Sequence, residues 1–156
     1  MQIQFFGLPS RDVAQTKAIG RDAYDNAIEV HKAEGDAYPC RHCLGLTPQG
    51  QDYLILAYRP FESRNPYAET GPIFLCAADC AAAVPSEQVP AILKSPAYLV
   101  RGYSKAERIV YGSGKVVATP RIPEYAKALL ADPQIAFVDV RSASNNCFQC
   151  RIRPVE

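Results

Sequence analysis

Two Cys-x-x-Cys pairs, Cys40/Cys43 in YPCRHCL and Cys147/Cys150 in NNCFQCR, carry the side chains best able to bind metal, form disulfides or attack an electrophile. Thiolates two residues apart can both reach one ion when the backbone between them makes a knuckle, and a pair of such pairs suits tetrahedral zinc. Three features weigh against Cys40, Cys43, Cys147 and Cys150 as that set. The pairs lie much farther apart than in a compact zinc ribbon, and neither carries the glycine that helps the chain turn around an ion. Moreover, if CFQCR runs on as a regular strand, Cys147 and Cys150 project to opposite faces. Cys76 and Cys80, spaced as one helical turn, are alternative ligands, and His31 or His42 could join them. The plain alternative is a set of ordinary buried cysteines. Thiol redox chemistry is a further reading, but a thioredoxin-like site needs a helix directly after its motif, and CRHCLGLTPQG offers none.

A second constellation surrounds the last predicted hairpin. If Ile135 to Arg141 alternates, Ala136, Val138 and Val140 form an apolar face and Asp139 and Arg141 share the other. On the returning strand Cys147, Gln149, Arg151 and Arg153 have common parity. Should the polar faces coincide, Arg141, Asn145, Asn146, Cys147 and Arg151 would surround one space, a set suited to a carboxylate or phosphate. Arg41 and the loop NPYAETGP, with Tyr67, Glu69 and Thr70 held between Pro66 and Gly71-Pro72, would complete it. Cys147 is then the candidate nucleophile. The bland counterpart is a solvated sheet face ending in an Asx-type turn.

Composition bounds the partners. Seventeen Lys and Arg against sixteen Asp and Glu give a formal net charge of +1, so no global field draws the chain to nucleic acid or an anionic membrane. No stretch is apolar enough to span a bilayer and the first residues, MQIQFFGLPSRD, do not read as a secretory signal, so a cytoplasmic location is expected. There thiols stay reduced, which favours metal or catalysis over structural disulfides. A length of 156 residues is enough for one sizeable core, so residues 1–156 read as a single domain.

The elements that must position these groups are mostly short strands. Gln2 to Phe6, Tyr53 to Arg59, Ile73 to Cys76, Tyr98 to Tyr103, Ile135 to Arg141 and Phe148 to Arg153 read as strands, and residues 27–33 fit strand or helix. Arg108 to Tyr111 and Lys115 to Ala118 read as a hairpin turned by GSG. Ser10 to Ala18 reads as a short helix, and Pro123 opens a second that stacks Tyr125, Ala126, Leu129 and Leu130. Helical turns are expected at Asp79 to Ala83 and Ala91 to Lys94. Helices are too few for parallel βαβ units, so the fold class is α+β: mainly antiparallel sheet, open or barrel-like, with a few short helices.

The ordered blocks YPCRHCL, YLILAYRPF, NPYAETGPIFL, RGY, RIVYGSGKVV and VRSASNNCFQCRI resemble the uncharacterised bacterial family catalogued as domain of unknown function 1203, from about Tyr38 to Arg153. The resemblance implies a small single-domain cytosolic protein with no assigned reaction. From the clustering by strand parity, the leading expectation is a domain that binds, with or without turnover, a small anionic metabolite at the Arg/Asn/Cys cluster. A non-enzymatic zinc-stabilised interaction module is the alternative, and a thiol redox sensor the third.

Overall fold

Alternation along the strands decides the architecture of the computed structural model, which describes residues 1–156. In chain order the elements are β1 (Ile3–Phe6), α1 (Ser10–Ile19), β2 (Glu29–Lys32), β3 (Asp52–Tyr58), β4 (Gly71–Cys76), β5 (Ala97–Tyr103), β6 (Lys115–Ala118), α2 (Ile122–Leu130), β7 (Phe137–Ser142) and β8 (Phe148–Pro154). All strand pairings are antiparallel. They make a larger sheet in the order β1-β8-β7-β5-β6 and a smaller one in the order β2-β3-β4. Both sheets have free edges, so the α+β expectation holds in its open form and no barrel closes. No helix is long and apolar enough to cross a membrane.

One face of the larger sheet is apolar. Ile3, Phe5, Val100, Val138, Val140, Cys150 and Ile152 pack there with Ile122, Ala126 and Leu130 of α2. Burying each such side chain contributes about 1.5–3 kcal/mol, which is why α2 lies across that face. The opposite face carries Arg101, Tyr103, Asp139, Arg141 and Arg151, with Asp139 of β7 set between Arg101 of β5 and Arg151 of β8. It turns toward the second core, where Phe148 of β8 meets Leu54, Leu56, Ile73 and Leu75 of the smaller sheet and Leu8 and Val13 near α1. Charged strands thus lie between two apolar cores.

Three sequence expectations give way. The GSG segment does not turn a hairpin: β6 pairs with β5, while Ile109 makes an isolated bridge to Tyr103. The cause is Ser113, 4% exposed, whose hydroxyl accepts from the Gly102 N–H and pins the segment to β5. Residues 79–83 and 91–94 form no helix. The ambiguous stretch around residue 30 is an edge strand, β2, with all four residues exposed.

Candidate functional site

Cys40 to Gly45 folds into a knuckle. The Leu44 N–H donates to the Cys40 carbonyl at 2.9 Å, and the Cys40 N–H to the Gly45 carbonyl at 2.8 Å. Leu44 has φ 54°, a left-handed conformation that glycine takes freely and that costs another residue about 1–2 kcal/mol. Its side chain is 9% exposed in the main core, and that packing holds it there. A buried leucine therefore occupies the place of the glycine whose absence argued against a knuckle.

The knuckle is strapped from both sides. A Cβ on Gly7 would lie 2.4 Å from the His42 carbonyl oxygen and 2.9 Å from that of Arg41, so only glycine permits this approach of the β1–α1 connection. The Leu8 N–H then donates to the Arg41 carbonyl at 2.8 Å. On the other side the Arg41 N–H donates to the Phe74 carbonyl of β4 at 3.1 Å. Two residues on, the Cys76 N–H donates to Cys40 Sγ at 3.3 Å. The chain leaves β4 and returns at Cys80, whose Sγ is 3.9 Å from Cys40 Sγ.

As a result the sulfurs of Cys40, Cys43, Cys76 and Cys80 all lie within 4.8 Å of one another. Zinc–sulfur bonds of about 2.3 Å in a tetrahedron place sulfurs about 3.8 Å apart, so the cluster has the dimensions of a single metal site. Polar groups surround it. Thr47, 1% exposed, donates its hydroxyl to Cys76 Sγ at 3.4 Å. His42 Nδ1 lies 3.2 Å from Cys80 Sγ and its Nε2 2.8 Å from Ser10 Oγ. The tautomer that donates from Nδ1 to sulfur accepts the Ser10 hydroxyl at Nε2.

Cys40 is the sulfur held as thiolate. The hydrogen bond from Cys43 and the N–H groups of Cys43, Cys76 and His42 hold the Cys40 thiol down to about 4, against burial, which raises it. Cys43, which shares that proton, is pushed up, and burial takes Cys80 up to about 11. Arg41, 4% exposed, faces Cys40 and also Cys147 and Cys150; burial lowers its pKa while those thiols raise it.

Of the two pairs expected as ligands, only Cys40/Cys43 belongs to the cluster. Cys76 and Cys80 complete it, in place of Cys147 and Cys150. Cys150, fully buried, points from β8 into the core under α2, and burial pushes its thiol well up. Cys147 lies before β8 on the turn, its thiol toward the Asn145 carbonyl at 3.7 Å. His31 is also elsewhere, on exposed β2, 2.9 Å from Glu29 Oε1.

The residues expected to hold an anion divide into separate groups. Glu69 receives Arg101 Nη2 at 2.8 Å on one oxygen, and Arg141 Nη2 at 2.7 Å and Asn146 Nδ2 at 3.2 Å on the other. Arg141, 3% exposed, also donates from Nε to Asn146 Oδ1 at 2.9 Å, while its Nη1 is buried without an acceptor. Arg151 instead grips Asp139, itself fully buried, at 2.7 and 2.9 Å. Arg41 donates to the Phe148 and Pro39 carbonyls at 2.8 and 2.6 Å. The Tyr67 hydroxyl meets that of Tyr111 at 2.7 Å, and the Thr70 carbonyl accepts from Tyr24 at 3.5 Å. Asn145 is exposed on the turn.

A bulge between Val140 and Arg141 takes Cys147 out of the expected set: Arg141 faces Phe148, not Gln149. One inserted residue moves Cys147 and Gln149 out of the parity they would share with Arg151. Ser10, Thr47, Gly7 and Arg101 escaped the sequence reading, although the alternation of Arg101 with Tyr103 was a usable signal.

No curated protein and no solved structure matches this chain. A family model does match residues 37–153, a span holding all four clustered cysteines, and the chain belongs to the family it describes as "Protein of unknown function (DUF1203)".

Proposed function

We propose that this is a non-enzymatic binding domain whose fold is completed by one zinc ion on Cys40, Cys43, Cys76 and Cys80. The observation carrying the reading is the mutual approach of these sulfurs within 4.8 Å. Soft thiolates select zinc over calcium or magnesium. Four of them fill a tetrahedral shell and leave no open position for water, so the ion's role is structural, not Lewis-acid. The hydrogen bonds from Thr47 and from the Cys76 N–H, with His42 beside Cys80, support ligand orientation in the way outer partners do at zinc sites.

The location gives the ion its purpose. The knuckle reaches the main core through Leu44, the smaller core through Cys40, and β4 through Cys76. One ion there fastens the joint between the two sheets, and its binding free energy becomes folding free energy.

Elemental analysis of untagged protein tests this. One zinc per chain, lost together with the cooperative thermal transition on chelation, is expected. Metal-free protein of unchanged stability overturns the reading. Free-thiol titration before and after mild oxidation separates it from a redox sensor, in which paired thiols would disappear reversibly without any metal.

A further inference from the structure

The charged face of the larger sheet sets three guanidiniums against two carboxylates. The side chains of Arg101, Arg141 and Arg151 are 14, 4 and 13% exposed, and only Glu69 and Asp139 lie within ion-pair distance of them. Arg151 takes both oxygens of Asp139, at 2.7 and 2.9 Å, so Arg101 and Arg141 are left to share Glu69, one on each oxygen. One positive charge in this nearly dry layer therefore has no acid of its own, and a charge withdrawn from water is costly until an anion compensates it.

The same place is short of acceptors. Arg141 donates from Nε to the Asn146 side chain and from Nη2 to Glu69, but its Nη1 is buried without a partner. A buried N–H group left in that state is uncommon in a folded protein. Nη1 and Nη2 form one fork, which an oxyanion engages fully with two oxygens. Glu69 cannot do this, because its second oxygen is committed to Arg101.

The seat is also reachable. The Glu69 side chain is 30% exposed, and Asn146, which donates from Nδ2 to the same oxygen as Arg141, is exposed on its turn. The loop behind Glu69 is held by other groups: Ala68 packs on the cluster of Phe61, Tyr103 and Phe137, and Asn65 donates to the Ala106 and Glu107 carbonyls at 3.1 Å. The carboxylate can turn outward while its backbone stays in place.

We propose that Glu69 is an internal stand-in, and that Arg101, Arg141 and Asn146 bind a phosphate group, free or on a small-molecule ester, that displaces it. A phosphate ester brings about two negative charges and three acceptor oxygens, where the carboxylate brings one charge and two oxygens. One oxygen serves Arg101, two serve the Arg141 fork with Asn146 on one of them, and the added charge answers the unmatched arginine. The proposal is independent of the zinc reading.

Calorimetric titration of the full chain at fixed ionic strength tests it, with inorganic phosphate and phenyl phosphate as probes. Saturable binding of either at about millimolar Kd is expected while Glu69 competes, and the tighter of the two tells a free anion from an ester. Glu69→Ala should bind that probe at least tenfold more tightly. Arg101→Gln should abolish binding, and Asn146→Gly, which accepts the left-handed backbone at φ 58°, should weaken it severalfold. Arg121→Gln, beside α2, should leave it unchanged, and acetate, which offers no more oxygens than Glu69, should not compete. No binding of either probe by the wild type, binding by Glu69→Ala no tighter than by the wild type, indifference to both Arg101→Gln and Asn146→Gly, or displacement by acetate overturns the proposal and leaves Glu69 as a structural counter-ion.

Discussion

Cys40 and Cys43 turn their sulfurs toward Cys76 and Cys80 from a knuckle, whereas Cys147 and Cys150 carry the same spacing across the start of β8 and part company there. The spacing fixes only how far apart two side chains begin. The backbone between them decides whether they converge. At residue 44 a left-handed turn, tolerated because the leucine is buried, folds the chain back on itself. At residue 148 the chain enters a ladder whose pleat sends one thiol into the core and leaves the other on the turn.

Breaking the first pair should have the largest effect. Cys40→Ser removes a proposed ligand whose sulfur accepts the Cys76 N–H, and a structural zinc site contributes about 10–16 kcal/mol of apparent binding free energy. That is comparable to a domain's whole stability, about 5–15 kcal/mol. Loss of zinc and of the cooperative melt by circular dichroism is expected.

The hairpin region that holds the other pair depends on charge instead. Asp139→Asn leaves the partly buried Arg151 without its counter-ion and should cost up to about 3 kcal/mol with zinc content unchanged. Urea unfolding with parallel metal analysis checks both halves of that statement. Gly7→Ala sharpens the comparison by touching only the strap: the added methyl meets the His42 carbonyl, and about 1–3 kcal/mol should be lost from the zinc-bound fold. Chelator competition should show weaker zinc retention in the same variant. Last, Cys150→Ser buries a hydroxyl in the apolar core and should cost about 1–3 kcal/mol, while Cys147→Ser, on the turn, should stay within about 0.5 kcal/mol. Neither should release metal.

Much of this arrangement could be read from residues alone. Alternation placed the strands of the larger sheet, and Pro123 with the run Tyr125, Ala126, Leu129, Leu130 placed α2. The thiols were recognisable as candidate ligands, with Cys76 and Cys80 among the choices. Their partnership was not, because it depends on Cys40 lying beside Phe74, a contact between segments distant in sequence. Nor does any residue type announce the bulge after Val140, which took Cys147 out of the expected anion site by a single step of register. Strand alternation and the helix-opening proline were sound local signals, the GSG turn and the helical turns at 79–83 and 91–94 were not, and the long-range contacts had no local signature.

Zinc K-edge X-ray absorption on the purified, untagged protein addresses the sulfur cluster itself. The account predicts four sulfur scatterers at about 2.3 Å in the wild type and in Cys147→Ser alike. A shell containing nitrogen or oxygen at about 2.0–2.2 Å, a spectrum altered by Cys147→Ser, or the absence of zinc from folded protein would contradict it.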